Sequence, residues 1–189
     1  MEYIKKGLKI GSEVEKWIKS EEDKRSVLIK DKLMGEMGSP IGWHTVGAPL
    51  ALSAMFMLLA FTMPQLVLWH AIFSFLFLPE HAVFTGIILS GLVFCTIMML
   101  SLVYVARGYV LALRLYMAMS VFTLMLSSGY AIFTVMACFF HEGWHLAYII
   151  SSVSGLSFIA VSIRFINSQM FYKMLAYYLH NRVWRILLH

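Results

Sequence analysis

Beyond Glu36 the sequence holds only two acidic residues, Glu80 and Glu142. Charge of either sign is scarce: 13% of the 189 residues, against roughly 25% in soluble domains. That scarcity excludes an ordinary soluble fold, because too few charges remain to clothe its surface. Cysteine is nearly absent. Cys95 and Cys138 both lie within apolar runs and form no CxxC pair, which excludes a dithiol oxidoreductase of the four-helix membrane type. The first forty residues are charged rather than apolar, so no cleavable signal peptide is expected. Internal repeats and low-complexity segments are also missing.

What is present is hydrocarbon. Hydrophobic residues make up 60% of the chain, and mean hydropathy is +0.78. A core of this size cannot hide that much apolar surface, so lipid is the expected solvent. The net charge of +5 does not point to nucleic acid, because the basic residues flank apolar segments and form no solvated face.

Residues 1–45 carry nine of the fifteen basic and eight of the ten acidic residues. From Ser12 to Met34 this segment reads as an amphipathic helix, with Ser12 as N-cap and Glu15 as capping-box partner. Gly35, Gly38, Pro40 and Gly42 end it. Such a helix either lies on the inner membrane surface or docks a cytoplasmic partner. Residues 46–168 read as an all-α bundle of four transmembrane helices, at about 49–70, 82–105, 109–138 and 144–163. Pro49 suits a first turn, Pro64 should kink the first span, and Trp69 is placed as an interface anchor. The fourth span is rich in small residues; Ser151, Ser154 and Gly155 are read as helix-packing positions. The tail, 169–189, repeats apolar residues at helical spacing and reads as a second amphipathic interfacial helix.

Every Lys and Arg falls in the N-terminal segment, the tail, the end of the fourth span or the turn between spans two and three, with Arg107, Arg114 and Arg164 as membrane-surface residues. The other two connections hold none. The positive-inside rule therefore puts both termini in the cytoplasm, and Glu80-His81 and His141–His145 on the outer face.

Those outer residues are the candidate site. His141-Glu142-Gly143-Trp144-His145 matches H-E-x-x-H, which on a helix sets two histidines one turn apart to hold zinc, with the glutamate acting on a metal-bound water. A catalytic zinc needs a third protein ligand, for which His81, Glu80 and His70 are candidates. Gly143 weakens a regular helix there. Intramembrane zinc proteases also use a distal aspartate, and the only aspartates, Asp23 and Asp31, lie on the other side. The plainer role for Glu80, His81, His141, Glu142 and His145 is structural or sensing: carboxylate and imidazole lock helix ends, and imidazole charge switches near pH 6.5. Haem held between histidines of different helices is a further option, drawing on His44, His70, His81, His141, His145 and His180.

The first expectation is thus a non-enzymatic multi-pass subunit of a bacterial inner-membrane assembly, a scaffold or sensor. A secretion or conjugation machine or a phage-defence complex would fit. Its partners would be membrane lipids, copies of itself (a homo-oligomer) and a cytoplasmic or membrane protein. The alternative is a zinc metallohydrolase with Glu142 as base, and the next a haem-binding membrane cytochrome.

Overall fold

The computed structural model describes residues 2–20, 23–38, 42, 45–140 and 146–187; the side chains of residues 19–20, 23–27 and 140 stand outside the description. The described residues form eight α-helices and no strand. Four stretches are long and apolar enough to cross a membrane: Ala48–Phe75, Glu80–Ala106, Val110–Phe139 and Leu146–Ile166.

The first of these is two helices, α3 (Ala48–Thr62) and α4 (Gln65–Phe75). Pro64 breaks them apart, as its ring and missing N–H require. Its carbonyl then starts α4 by accepting from the Leu68 amide at 2.9 Å. The amide of Leu78 returns to the Phe73 carbonyl and that of Phe77 to Ser74, which closes α4 in a Schellman turn. Phe77 takes the left-handed position of that turn, φ 56°, where glycine is usual. Pro79 follows, then one 3-10 turn, Glu80–Ala82, and α5 (Val83–Ala106). The remaining spans are α6 (Val110–Phe140) and α7 (Leu146–Ile166).

The N-terminal segment differs from the sequence expectation. It is two helices, α1 (Glu2–Ser20) and α2 (Asp23–Met37), so Ser12 lies inside α1 and caps nothing. Its hydroxyl bonds back to the Lys9 carbonyl at 2.8 Å instead. The helix starts ten residues earlier than Ser12, and its Gly7 and Gly11 are packing positions. A methyl on Gly7 would come within 2.8 Å of Leu175, and one on Gly11 within 2.7 Å of Val110. Ile10, Val14 and Trp17 continue the same buried face.

That face meets α8 (Gln169–Leu187), whose Ser168 N-cap accepts from the Phe171 amide at 3.1 Å. Helix α8 buries Phe171, Tyr172, Met174, Leu175, Ala176, Leu179 and Val183, more than one side's worth. Helix α2 packs on it through Leu33 and Met37. Helices α1 and α2 thus both pack on α8.

The described chain forms two compact units. One comprises 1–53, 99–117 and 163–189, and includes α1, α2, α8 and the α5–α6 turn; the other comprises 54–98 and 118–162. In the first unit the α5–α6 turn is a second Schellman turn. Gly108 takes the left-handed position (φ 84°), its amide bonds to Val105, and the Tyr109 amide bonds to Tyr104. The Tyr104 and Tyr109 rings meet edge to face with centroids 5.7 Å apart, the apolar contact that accompanies this motif. A Cβ on Gly108 would lie 2.7 Å from the Tyr178 carbonyl oxygen of α8.

Gly108→Ala should therefore lose stability on two counts: about 1–2 kcal/mol from the left-handed backbone, and more from a methyl pressed on immovable backbone. Thermal unfolding in detergent micelles should show the fall, with Gly35→Ala, which meets nothing within 4 Å, as the harmless comparison.

Candidate functional site

The two lone carboxylates of the apolar region define the expected site, and the structure describes one of them. Glu80 opens the 3-10 turn after Pro79, whose extended backbone (ψ 139°) turns the chain back toward α4. Its Oε1 lies 3.9 Å from His70 Nε2, an ion pair once the imidazole is protonated. Both side chains are exposed, and water screens such a pair to a small stability term. With Phe73, Ser74, Phe77, Leu78 and Val83 they line a cavity of about 290 Å³. His81, on the same turn, is exposed. His141, Glu142, Gly143, Trp144 and His145 lie outside the described residues. Among the described residues no three His, Cys, Asp or Glu side chains are placed to hold one metal ion. What the described part can do is bring one imidazole and one carboxylate together on a solvent-exposed rim.

Several other polar groups of the spans bond inside the protein. In the second unit Gln65, the only amide side chain between 46 and 166, is buried at 3% exposure. Its Oε1 accepts from Trp69 Nε1 at 3.1 Å and from Ser90 Oγ at 3.0 Å, and its Nε2 donates to the Phe61 carbonyl. The Trp69 indole also reaches Ser90 Oγ at 3.1 Å and lies flat on Gly86, where a methyl would come within 2.5 Å of the ring. Trp69 is thus a bolt between α4 and α5, not only an aromatic at an interface. An amide in hydrocarbon must find partners, so a single Gln in a span was a readable sign of this triad. Ser151 pairs with the Tyr130 hydroxyl at 2.7 Å. Gly155 is buried, and a methyl there would sit 3.3 Å from Met63 Cβ. Ser154 is half-buried on the same helix.

In the first unit the buried Tyr116 hydroxyl donates to Ser53 at 2.8 Å. The main event there, which sequence reasoning missed, is the seating of α8 on the α5–α6 turn. Arg182 Nη1 donates to the Gly108 carbonyl at 3.0 Å, and Arg185 Nη2 to the Arg107 carbonyl at 2.9 Å. These two carbonyls stand past the end of α5, where no helical N–H reaches them. The Arg182 guanidinium also lies over the Tyr109 ring, 4.3 Å from its centre. Across α8, Lys30 of α2 stands 4.2 Å over Trp184, and Lys32 of α2 pairs with Glu13 of α1 at 2.6 Å. Arg107, Arg114 and Arg164 are exposed. Arg164 falls in the last turn of α7, where a cation suits the helix dipole.

Burial pushes the Tyr172 hydroxyl up to about 12, and its hydrogen bond to Glu36 and the nearby Glu36 and Glu13 carboxylates add to the shift. The raised value means the folded state favours neutral tyrosine. That stability is full below the ordinary pKa of 10 and is lost as pH climbs from about 10 to about 12. The melting temperature should therefore fall across that window, and Tyr172→Phe should remove its share of the fall. Arg182→Ala should cost about 1.5–3 kcal/mol, as loss of a charged hydrogen bond does, and release α8 to limited proteolysis. Arg182→Lys should not restore it, lacking the planar fork that serves the carbonyl and the ring together.

No protein family, curated protein or solved structure matches the chain, so the geometry above is the ground for its function.

Proposed function

We propose that the chain is a non-enzymatic multi-pass subunit of a larger membrane assembly, a scaffold or sensor that couples a helical platform to a membrane hairpin. The observation that carries this reading is the arginine seating of α8 on the Arg107–Gly108 turn. A surface helix adrift on lipid has no need of it. A platform that must report its position to the hairpin does.

The platform also has a face left over. Helix α2 turns Leu33 and Met37 inward, yet Leu28 is 71% and Met34 50% exposed. A charged helix with apolar residues on both sides has more than one surface to cover. We read the outer surface as the seat of a partner protein or a second copy. By the positive-inside rule this platform lies in the cytoplasm and the His70–Glu80 rim outside, which suits a bacterial inner membrane.

A photoreactive amino acid at Leu28 or Met34 in cells that make the protein should give discrete cross-linked products. Leu28→Asp/Met34→Asp should abolish them while the chain still inserts in the membrane. A protein that stays monomeric in mild detergent and cross-links to nothing would sink the proposal. So would one zinc per chain, lost in His141→Ala/His145→Ala, which would move the reading to the metallohydrolase.

A further inference from the structure

Glycine inside a helix costs about 1 kcal/mol relative to alanine, so each such glycine in a span asks for a reason. Gly86 and Gly155 have theirs in the Trp69 ring and in Met63. Like Gly91 of α5, Gly129 in the middle of α6 has none within the protein: a methyl there would meet nothing within 4 Å. The space it leaves open is one wall of a groove of about 280 Å³. Pro64, between α3 and α4, and Leu68 and Ala71 of α4 line it together with Leu126 and Phe133 of α6. Two helix-unfriendly residues, Pro64 and Gly129, thus line one space that no side chain fills.

The chemistry of the groove is uniform. Tyr130 is the one lining residue with a polar side-chain atom, and its hydroxyl is bonded to Ser151. Water entering would find no partners there. Both walls belong to stretches long and apolar enough to cross a membrane, so the groove opens to hydrocarbon. A helix, about 10 Å across, is too wide for a space of this volume. A single methylene chain is not: at about 30 Å³ per small group the groove holds on the order of nine chain carbons.

We propose that this groove is a binding site for one acyl chain of a membrane phospholipid. Gly129 keeps it open and Pro64 shapes it. The bound chain takes over the dispersion contacts that the walls would otherwise lack. The proposal rests on the membrane-spanning character of these helices and not on the assembly reading.

The test uses the full chain in phosphatidylcholine vesicles containing a little phosphatidylcholine with a diazirine on one acyl chain. After photolysis, labelled peptides are mapped by mass spectrometry. The exposed α5 face at Ile88, Leu89 and Leu92 serves as the reference for ordinary lipid contact. We expect labelling of 64–71 and 125–133 to exceed that reference several-fold and to saturate at one lipid per chain. Gly129→Leu should bring it down to the reference level with helicity retained and the melting temperature not lowered. If that variant fails to fold, Ala71→Leu fills the groove from α4 and is read the same way. Labelling that never exceeds the reference, or that survives both fillings, overturns the site. Loss of an oligomer in Gly129→Leu with labelling unchanged would seat a second copy there instead. An unlabelled reference face would overturn the membrane reading along with the site.

Discussion

A carbonyl oxygen past the end of a helix must find a donor, and in this protein that need fixes how the charged segments are held. The turn that ends helix α5 has glycine at 108 because only glycine takes the left-handed position without a steric cost. The same absence of a side chain lets the backbone of α8 come against the turn. Arg182 and Arg185 then serve the two carbonyls the turn leaves open. With α8 seated, α1 has a surface for Gly7 and α2 has one for Leu33 and Met37. The first unit is assembled outward from one glycine.

The spans follow a second constraint. Polar side chains in hydrocarbon cannot fall back on water, so they pair across helices. Gln65, Trp69 and Ser90 do this in one place, Tyr130 and Ser151 in another, Tyr116 and Ser53 in a third. Each such bond adds about 0.6 kcal/mol, but together they fix helix rotation in a setting where apolar contacts alone are weakly directional. Serines that look like mere small residues in the sequence thus have assigned places.

The spans and the break at Pro64 were legible because their signals are local: twenty or more apolar residues, and a ring where an N–H is needed. The N-terminal helices were not, because Ser12 and Glu15 mimic a capping box, and Gly7 and Gly11 carry no side chain to extend the apolar pattern before it. Only the position of Leu175 and Val110, more than ninety residues away, shows those glycines to be contact points. The arginines of the tail were legible as membrane-side charges, but their acceptors are backbone atoms, and no residue type announces a free carbonyl. Of the expected outer site, Glu80 is placed beside His70, a pairing that the turn after Pro79 creates and that spacing along the chain does not display.

The spans are unevenly covered. Within the 18-residue apolar centre of each span, the protein buries 44% in Ala48–Phe75 and 39% in Val110–Phe139, but 22% in each of the other two. Mutations should accumulate accordingly. Exchanges among leucine, isoleucine, valine and phenylalanine on α5 and α7 meet fluid neighbours that adapt to any shape, and such positions are free to drift. On α3 and α6 the same exchanges meet fixed neighbours and leave holes or clashes. Lineages of this protein should diverge fastest along the two thinly covered helices, while the covered pair sets the pace at which the whole bundle is allowed to change.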